Sequence, residues 1–244
     1  MIVQEESLDF SVADISLLQA RTLLRRVDQK FLLSQEKLHC VLQAITPHYS
    51  IVLAKEKRLS RYKTLYFDTK DFLCATEHHR GRRPRYKVRI RHYLDRELSF
   101  LEVKKKNKRD RTIKFRREIE FLDEQLLSSS RFLFDNCPIP ASELEPSLYT
   151  CFGRITLIGK TIHERITCDV NLQFGQHHFS NVAIVEVKQP RANWRSPIMC
   201  ALRSNGIRPV SLSKYTASVA LNKPSVMMNM YFPKLRTLRN IENG

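Results

Sequence analysis

No apolar run in the chain approaches the ~18 consecutive residues that a membrane-spanning helix needs, which excludes a helical span. No C-x-x-C pair occurs either. Cys40, Cys74, Cys137, Cys151, Cys168 and Cys200 are widely scattered, so neither a zinc framework nor a disulfide scaffold follows. The first residues, with Glu5, Glu6 and Asp9 ahead of any apolar run, lack the form of a signal peptide. Internal repeats and low-complexity tracts are also missing. These absences predict a reduced, soluble, cytoplasmic protein.

Acidic residues are scarce beside basic ones: 25 Asp and Glu against 42 Lys and Arg, a formal net charge of +17. A surplus of that size speaks about partners rather than fold. Three anionic partners suit it: nucleic acid, an anionic membrane surface, or a phosphorylated substrate. Trp194 and the other aromatics do not form the stacking set that single-strand binders use, which disfavours nucleic acid. With 244 residues and 42% hydrophobic side chains, the chain is large enough to bury a core as one large domain or two small ones.

Taken in order, residues 12–25 put Ile15, Leu17, Leu18, Leu23 and Leu24 at mostly helical spacing, which predicts an amphipathic helix. Val27–Leu33 has the period of a strand, with Val27, Phe31 and Leu33 on one face and Asp28 and Lys30 on the other. Ser34 caps an expected helix over 35–45, with Pro47 beyond its end. Tyr49–Ala54 and Arg58–Asp68 read as strands, and 69–83 as a loop containing His78, His79 and the basic run Arg80, Arg82, Arg83. A short helix is expected over 123–129, followed by an irregular stretch marked by Pro138, Pro140 and Pro146. Residues 154–160 and 163–174 form an expected hairpin, Ser196-Pro197 to Gly206 a helix, and a last helix begins near Ser213 and ends before Pro224. Met227 and Met228 read as tail packing. About nine strands and three to five helices result, an α+β fold with an antiparallel sheet.

The alternation is clearest from Pro84 to Tyr93. On a strand, Arg85, Lys87, Arg89 and Arg91 share one face, while Tyr86, Val88 and Ile90 share the other. Four cations on one face repel each other, so the stripe is either solvated or lies along an anion. The pattern recurs. Glu102, Lys104 and Lys106 oppose Leu101 and Val103, and beyond an expected turn at 107–110, Thr112, Lys114, Arg116, Glu118 and Glu120 oppose Ile113, Phe115, Ile119 and Phe121. Arg165, Thr167, Asp169 and Asn171 likewise oppose Ile166, Cys168, Val170 and Leu172, and Glu186 and Lys188 oppose Ala183, Val185 and Val187. A sandwich with wet outer faces has the same period, so a basic exterior and a basic lumen both remain open. Helices available to cover the apolar face, and the focused, weakly screened charge inside a ring of cations, favour a lumen.

Seven short segments, in order, resemble the VTC (vacuolar transporter chaperone) polyphosphate polymerase domain of the triphosphate tunnel metalloenzyme and CYTH group. They are Arg26-Val-Asp-Gln-Lys-Phe-Leu-Leu33, Leu65-Tyr-Phe-Asp-Thr69, Tyr86-Lys-Val-Arg-Ile-Arg91, Leu101-Glu-Val-Lys104, Glu164-Arg-Ile-Thr-Cys-Asp169, Val185-Glu-Val-Lys188 and Ser213-Lys-Tyr215. The likeness covers roughly residues 26–222 and is closest to the stand-alone bacterial form. It implies an N-terminal helical segment over 1–25, a tunnel domain over 26–223 and a C-terminal tail over 224–244. The tunnel is expected to be a closed, eight-stranded antiparallel β-barrel, open at both ends, with flanking helices.

The same resemblance implies ATP and polyphosphate as partners and Mn²⁺ or Mg²⁺ as cofactor. Carried over by motif, Lys30, Arg89, Arg91, Lys104, Arg165 and Lys188 contact the reacting phosphates, Lys214 and Lys87 bind substrate, and Glu186 holds the metal. Arg116 and Arg154 join the substrate-binding set because they fall on the inward faces of their strands. One departure is plain. The wider group opens with Glu-x-Glu-x-Lys, whereas this chain has Arg26-x-Asp28-x-Lys30, which argues against a two-metal hydrolase. Phosphoryl transfer needs in-line placement and cations on the equatorial oxygens rather than a protein nucleophile, and no Ser or Cys nucleophile is recognisable. Three functions fit: a polyphosphate polymerase, a metal-dependent triphosphate hydrolase using the same cavity, and a non-catalytic polyphosphate or RNA binder. Against the site assignments, Glu102–Lys104 and Glu186–Lys188 also read as cross-strand ion pairs, and Lys104–Lys106 as a solvated run.

Overall fold

Runs that alternate apolar with polar residues become strands, and apolar residues three and four apart become the helices that cover them. The computed structural model describes residues 9–21, 26–109 and 111–244. In chain order these form β1 (Ser11–Val12), α1 (Ile15–Ala20), β2 (Val27–Ser34), α2 (Gln35–Ile45), β3 (Tyr49–Ile51), β4 (Ser60–Asp68), α3 (Leu73–His79) and β5 (Arg85–Tyr93). There follow β6 (Leu98–Lys106), β7 (Thr112–Ile119), α4 (Ser130–Asn136), β8 (Glu145–Gly159), β9 (Arg165–Phe174), β10 (His177–Phe179), β11 (Val182–Gln189), α5 (Pro197–Ser204), α6 (Lys214–Asn222) and α7 (Phe232–Asn243). Leu23 and Leu24 of the expected first helix, and Asp110 of the expected turn, lie outside the described residues.

The fold is α+β, with helices flanking one sheet that is antiparallel along its main path. That path runs β2-β11-β9-β8-β4-β5-β6-β7, with β3 and β10 attached to β8 and β9, and β1 attached to β3. The expectation of a closed eight-stranded barrel is corrected here: among the described residues the sheet has eleven strands and is not closed, because its terminal strands β2 and β7 do not pair with each other. The cause lies at the outer edge of β2. The Val210 N–H donates to the Lys30 carbonyl (2.7 Å), and Pro209 bridges Phe31, so the segment before α6 occupies that edge in place of β7.

The outer face of the sheet is apolar. Phe31 and Leu33 of β2, Ile166 and Cys168 of β9, and Val185 and Val187 of β11 pack beneath Leu38, Val41 and Leu42 of α2 and Ile198 and Leu202 of α5. Across β4–β6, Leu65, Phe67, Val88, Ile90, Leu101 and Val103 pack with Leu133 of α4. Each such side chain, fully buried, contributes about 1.5–3 kcal/mol. The helix covering β2 and β11 starts where the sequence predicts, with the Ser34 hydroxyl accepting from the Lys37 N–H (3.3 Å).

The inner face changes character along its length. Lys30, Glu186 and Asp169 give way to Leu32, Ile184 and Leu172, which form a third apolar cluster with Phe152 and with Tyr215, Ala217 and Val219 of α6. Asn171, at φ 51°, lets β9 present both Asp169 and Leu172 inward. The α6 helix therefore fills one end of the inner space against β8 and β9, where a bore open at both ends was expected.

Other differences are local. The expected loop 69–83 contains α3, whose N-terminal Cys74 and Ala75 N–H groups donate to the Asp68 carboxylate (2.8 and 3.0 Å). The helix expected over 123–129 lies instead at α4, after a short 3-10 turn over Leu127–Ser129. Pro146 sits inside β8, beside a register shift at Tyr66/Phe67 that accommodates it. The first helix begins at Ile15 within the expected 12–25, the strand begun at Tyr49 stops at Ile51, and residues 224–244 carry α7. Met228 is buried there, while Met227 is exposed. Among the described residues, no helix is long and apolar enough to cross a membrane.

Candidate functional site: a cationic cavity inside the sheet

The curled sheet encloses a cavity of about 1060 Å³. Among the described residues, fifteen Lys and Arg line it, against two carboxylates, Asp28 and Glu186. All eleven residues singled out from the sequence border this one space: Lys30, Lys87, Arg89, Arg91, Lys104, Arg116, Arg154, Arg165, Glu186, Lys188 and Lys214. Strands from both ends of the sheet contribute, β2 through Lys30 and β7 through Lys114 and Arg116, so the cavity is surrounded even though the sheet is not closed.

Strand register stacks these side chains in rows. Arg89, Glu102 and Arg116 are neighbours across β5, β6 and β7. Glu102 is fully buried and accepts from Arg89 Nε (2.7 Å) and Nη2 (2.5 Å) on one oxygen, while Lys114 holds the other. Burial alone would raise its pKa, but Arg89, Arg91 and Lys114 hold it well below the usual carboxylate range. The adjacent row, Lys87, Lys104 and Lys114, is entirely basic. Arg89, burial and Arg91 push Lys104 well below an ordinary lysine. Burial, then Arg89, Arg85 and Lys30, push Lys87 down to about 7. Its ammonium donates to Ser213 Oγ (2.7 Å), linking β5 to the start of α6.

A second buried carboxylate, Asp169, accepts from Arg154 Nε (2.5 Å) and Nη2 (2.8 Å) and from Lys214 of α6. Burial would raise it, and Arg154 and Lys214 hold it below the usual range. Glu186 stands nearer the open space, bound by Lys30 (2.8 Å) and Lys188 (2.5 Å). Aromatic rings space the cations at the far end. Arg91 and Arg154 lie 5.1–5.7 Å from the rings of Tyr62 and Phe152, and Arg116 lies 3.2 Å from Phe100.

Residues 25–223 match the VTC domain. The chain belongs to the VTC domain family. Among solved structures, this VTC domain is similar to a proposed adenylate cyclase from Bacillus halodurans, at 14% identity and TM-score 0.52, over 78% of this chain and 94% of that one. It is also similar to HpAC1 of Hippeastrum, a proposed adenylyl cyclase with a dominant triphosphatase activity, at 14% identity and TM-score 0.54, over 80% and 95% of the two chains. At those identities the likeness establishes the shared fold. No curated protein sequence matches the chain.

Sequence reasoning passed over several residues of this VTC domain's cavity. Lys114 lies on a predicted inward face, and Ser213 and Asp169 lie within quoted motifs, yet their contacts run to other strands and helices. Tyr62 and Phe152 carried no signal. His78 and His79, read as loop residues, occupy the last turn of α3, and His78 borders the cavity near Lys87 and Arg85. Outside the cavity, Ser99 Oγ, His92 and Glu124 form a chain (2.7 and 3.1 Å) that has the order of a catalytic triad. Ser99 is fully buried and its oxygen accepts the Leu122 N–H (3.0 Å), so this chain ties the segment after β7 to the sheet and offers no accessible nucleophile.

No group of three or more His, Cys, Asp or Glu among the described residues forms a metal cage in this VTC domain. The donor set fits a different arrangement, in which a divalent ion takes one carboxylate and draws its other ligands from phosphate oxygens and water. Glu186 suits that role: it lines the cavity, and although burial would raise its pKa, Lys188 and Lys30 keep it ionised. Asp28 also faces the cavity but is paired with Arg26 (2.9 Å).

Proposed function

We propose that this VTC domain is a polyphosphate polymerase, which transfers the γ-phosphate of ATP to the end of a polyphosphate chain held in the cavity and releases ADP. The observation that carries this reading is the length of the cationic lane. Arg91, Arg89, Lys87 and Arg85 follow at every second position of β5, all four bordering the cavity. At ~3.4 Å per residue the lane extends about 20 Å. Three phosphorus atoms joined by single oxygens are far shorter, so the lane suits a longer anion than a triphosphate.

The chemistry asked of the protein is positioning and charge stabilisation. A terminal oxygen of the chain attacks the γ-phosphorus, the bond to the β,γ-bridging oxygen breaks, and the electron pair leaves with ADP. Arg89 and Arg154, already oriented by buried carboxylates, present guanidinium N–H groups in a fixed plane suited to phosphate oxygens. Lys30, Lys104, Lys188 and Lys214 act as point charges, and Arg91, Arg116, Arg165 and Lys87 extend the binding surface along the chain. A divalent cation, Mn²⁺ or Mg²⁺, held by Glu186 and substrate oxygens, supplies further charge neutralisation when bound.

A hydrolase differs only in taking water as acceptor, and HpAC1, with the same fold, has a dominant triphosphatase activity. Incubating the purified protein with ATP and Mn²⁺ and measuring ADP, free phosphate and polyphosphate separates the readings. Long chains with ADP support the polymerase. Free phosphate without chains gives the hydrolase, and absence of turnover with salt-sensitive RNA binding leaves a non-catalytic binder.

A further inference from the structure

Besides Asp28, which lines the cavity beside Arg26, three carboxylates stand among its cations at different depths. Glu186 reaches its wall with 19% of the side chain exposed, whereas Glu102 (0%) and Asp169 (3%) lie behind the cations they hold. The two buried ones are built alike. Glu102 grips the guanidinium of Arg89 from β5 and the ammonium of Lys114 from β7. Asp169 grips the guanidinium of Arg154 from β8 and the ammonium of Lys214 from α6. Each therefore ties one planar, forked donor to one point charge across two different elements. Arg91 and Lys104 also act on Glu102 through space, and Tyr62 stands near Asp169.

We propose that Glu102 and Asp169 are positioning residues for phosphate recognition, each fixing an Arg–Lys pair so that the remaining N–H groups converge on the anion, while the carboxylate itself never touches it. The proposal rests on the reading of the cavity as a phosphate site. Its sign is opposite to that of simple electrostatics. A negative charge beside a polyanion repels it, so on charge alone removing either carboxylate tightens binding. Positioning makes the reverse true, because a guanidinium without its partner loses the fixed plane that bidentate recognition needs.

The test measures tripolyphosphate affinity by calorimetry in EDTA, so that no metal enters. For Glu102→Gln and Asp169→Asn, which keep shape and remove charge, the expected result is affinity weakened about tenfold, the size of losing one charge-assisted hydrogen bond. Unchanged or tighter binding overturns the proposal. A double-mutant cycle adds a readout that a structural role would not move. If Glu102 acts through Arg89, then Glu102→Gln loses most of its effect in an Arg89→Lys background, and Asp169→Asn does the same in Arg154→Lys. Strictly additive losses overturn it, as does failure of both charge-removing variants to fold. Failure of the wild-type protein to bind tripolyphosphate is a separate result, since it removes the phosphate site itself.

Discussion

Arg89 and Arg91 project from the same face of β5, yet their removal should have different consequences. Arg89 donates twice to one oxygen of a fully buried carboxylate, so Arg89→Ala leaves Glu102 paired with Lys114 alone. Breaking a buried pair on one side typically costs roughly 3–5 kcal/mol of stability. Arg91 bonds the neutral Thr64 hydroxyl (3.1 Å) and rests against aromatic rings, so Arg91→Ala strands no charge. Its expected cost falls on anion binding instead, by about 1.5–3 kcal/mol for a lost charged hydrogen bond. Urea unfolding and tripolyphosphate titration of both variants check this, and equal destabilisation by the two contradicts it. Glu186→Gln gives a third pattern. An amide still accepts a hydrogen bond from Lys30 or Lys188, so the fold survives, and triphosphate binding in EDTA persists while Mn²⁺-dependent turnover is lost. Retained turnover removes Glu186 as the metal ligand.

At the level of elements, β5 and α6 meet through Lys87 and Ser213, and this contact carries a pH dependence. Burial, then Arg89 and Arg85, hold the Lys87 ammonium down at about 7, far below the ~10.4 of a free lysine. The unfolded chain therefore binds more protons between those values, and the penalty on the folded state is complete below pH 7 and gone above ~10.4. A bound polyanion offsets the repulsion from Arg89 and Arg85 and restores the proton. Tripolyphosphate binding at pH 8 should thus be accompanied by net proton uptake, read as a dependence of binding enthalpy on buffer ionisation heat; equal enthalpies in Tris and HEPES would contradict it. How much of this was legible in the sequence follows from range. The inward cations of β5, β6 and β11 were readable because alternate residues of one strand must share a face. The α3 helix was not, because its start depends on Asp68 reaching past the left-handed Phe72 to donors six and seven residues on. Closure was misjudged for a related reason: which segment meets the edge of β2 is decided by Pro209 and Val210, far along the chain, and no periodicity records it. Asp169 lay within a recognised motif, but its work depends on Arg154 and Lys214, which only the folded chain brings to it.

For the whole molecule, the net charge of +17 is unevenly spent, with fifteen cations turned inward on one cavity. A surface of scattered lysines attracts any polyanion and gains little from its length at moderate salt, since exposed charges more than ~10 Å apart are screened from one another. A lane of facing cations inside a protein wall behaves differently, because each further phosphate meets another fixed, poorly screened partner. Affinity should therefore rise from tripolyphosphate through longer oligophosphates and level off once the anion spans the row from Arg91 to Arg85, about 20 Å at ~3.4 Å per residue. The salt dependence should steepen over the same range, as more phosphates are neutralised and more counterions released. Calorimetric titration of size-fractionated polyphosphates at two salt concentrations measures both. An affinity already saturated at three phosphates restricts the site to a triphosphate and makes water the acceptor that best fits it. An affinity still rising beyond three phosphates favours a product chain that stays bound beside the reacting phosphate, the condition under which successive additions lengthen one chain instead of releasing it after each step.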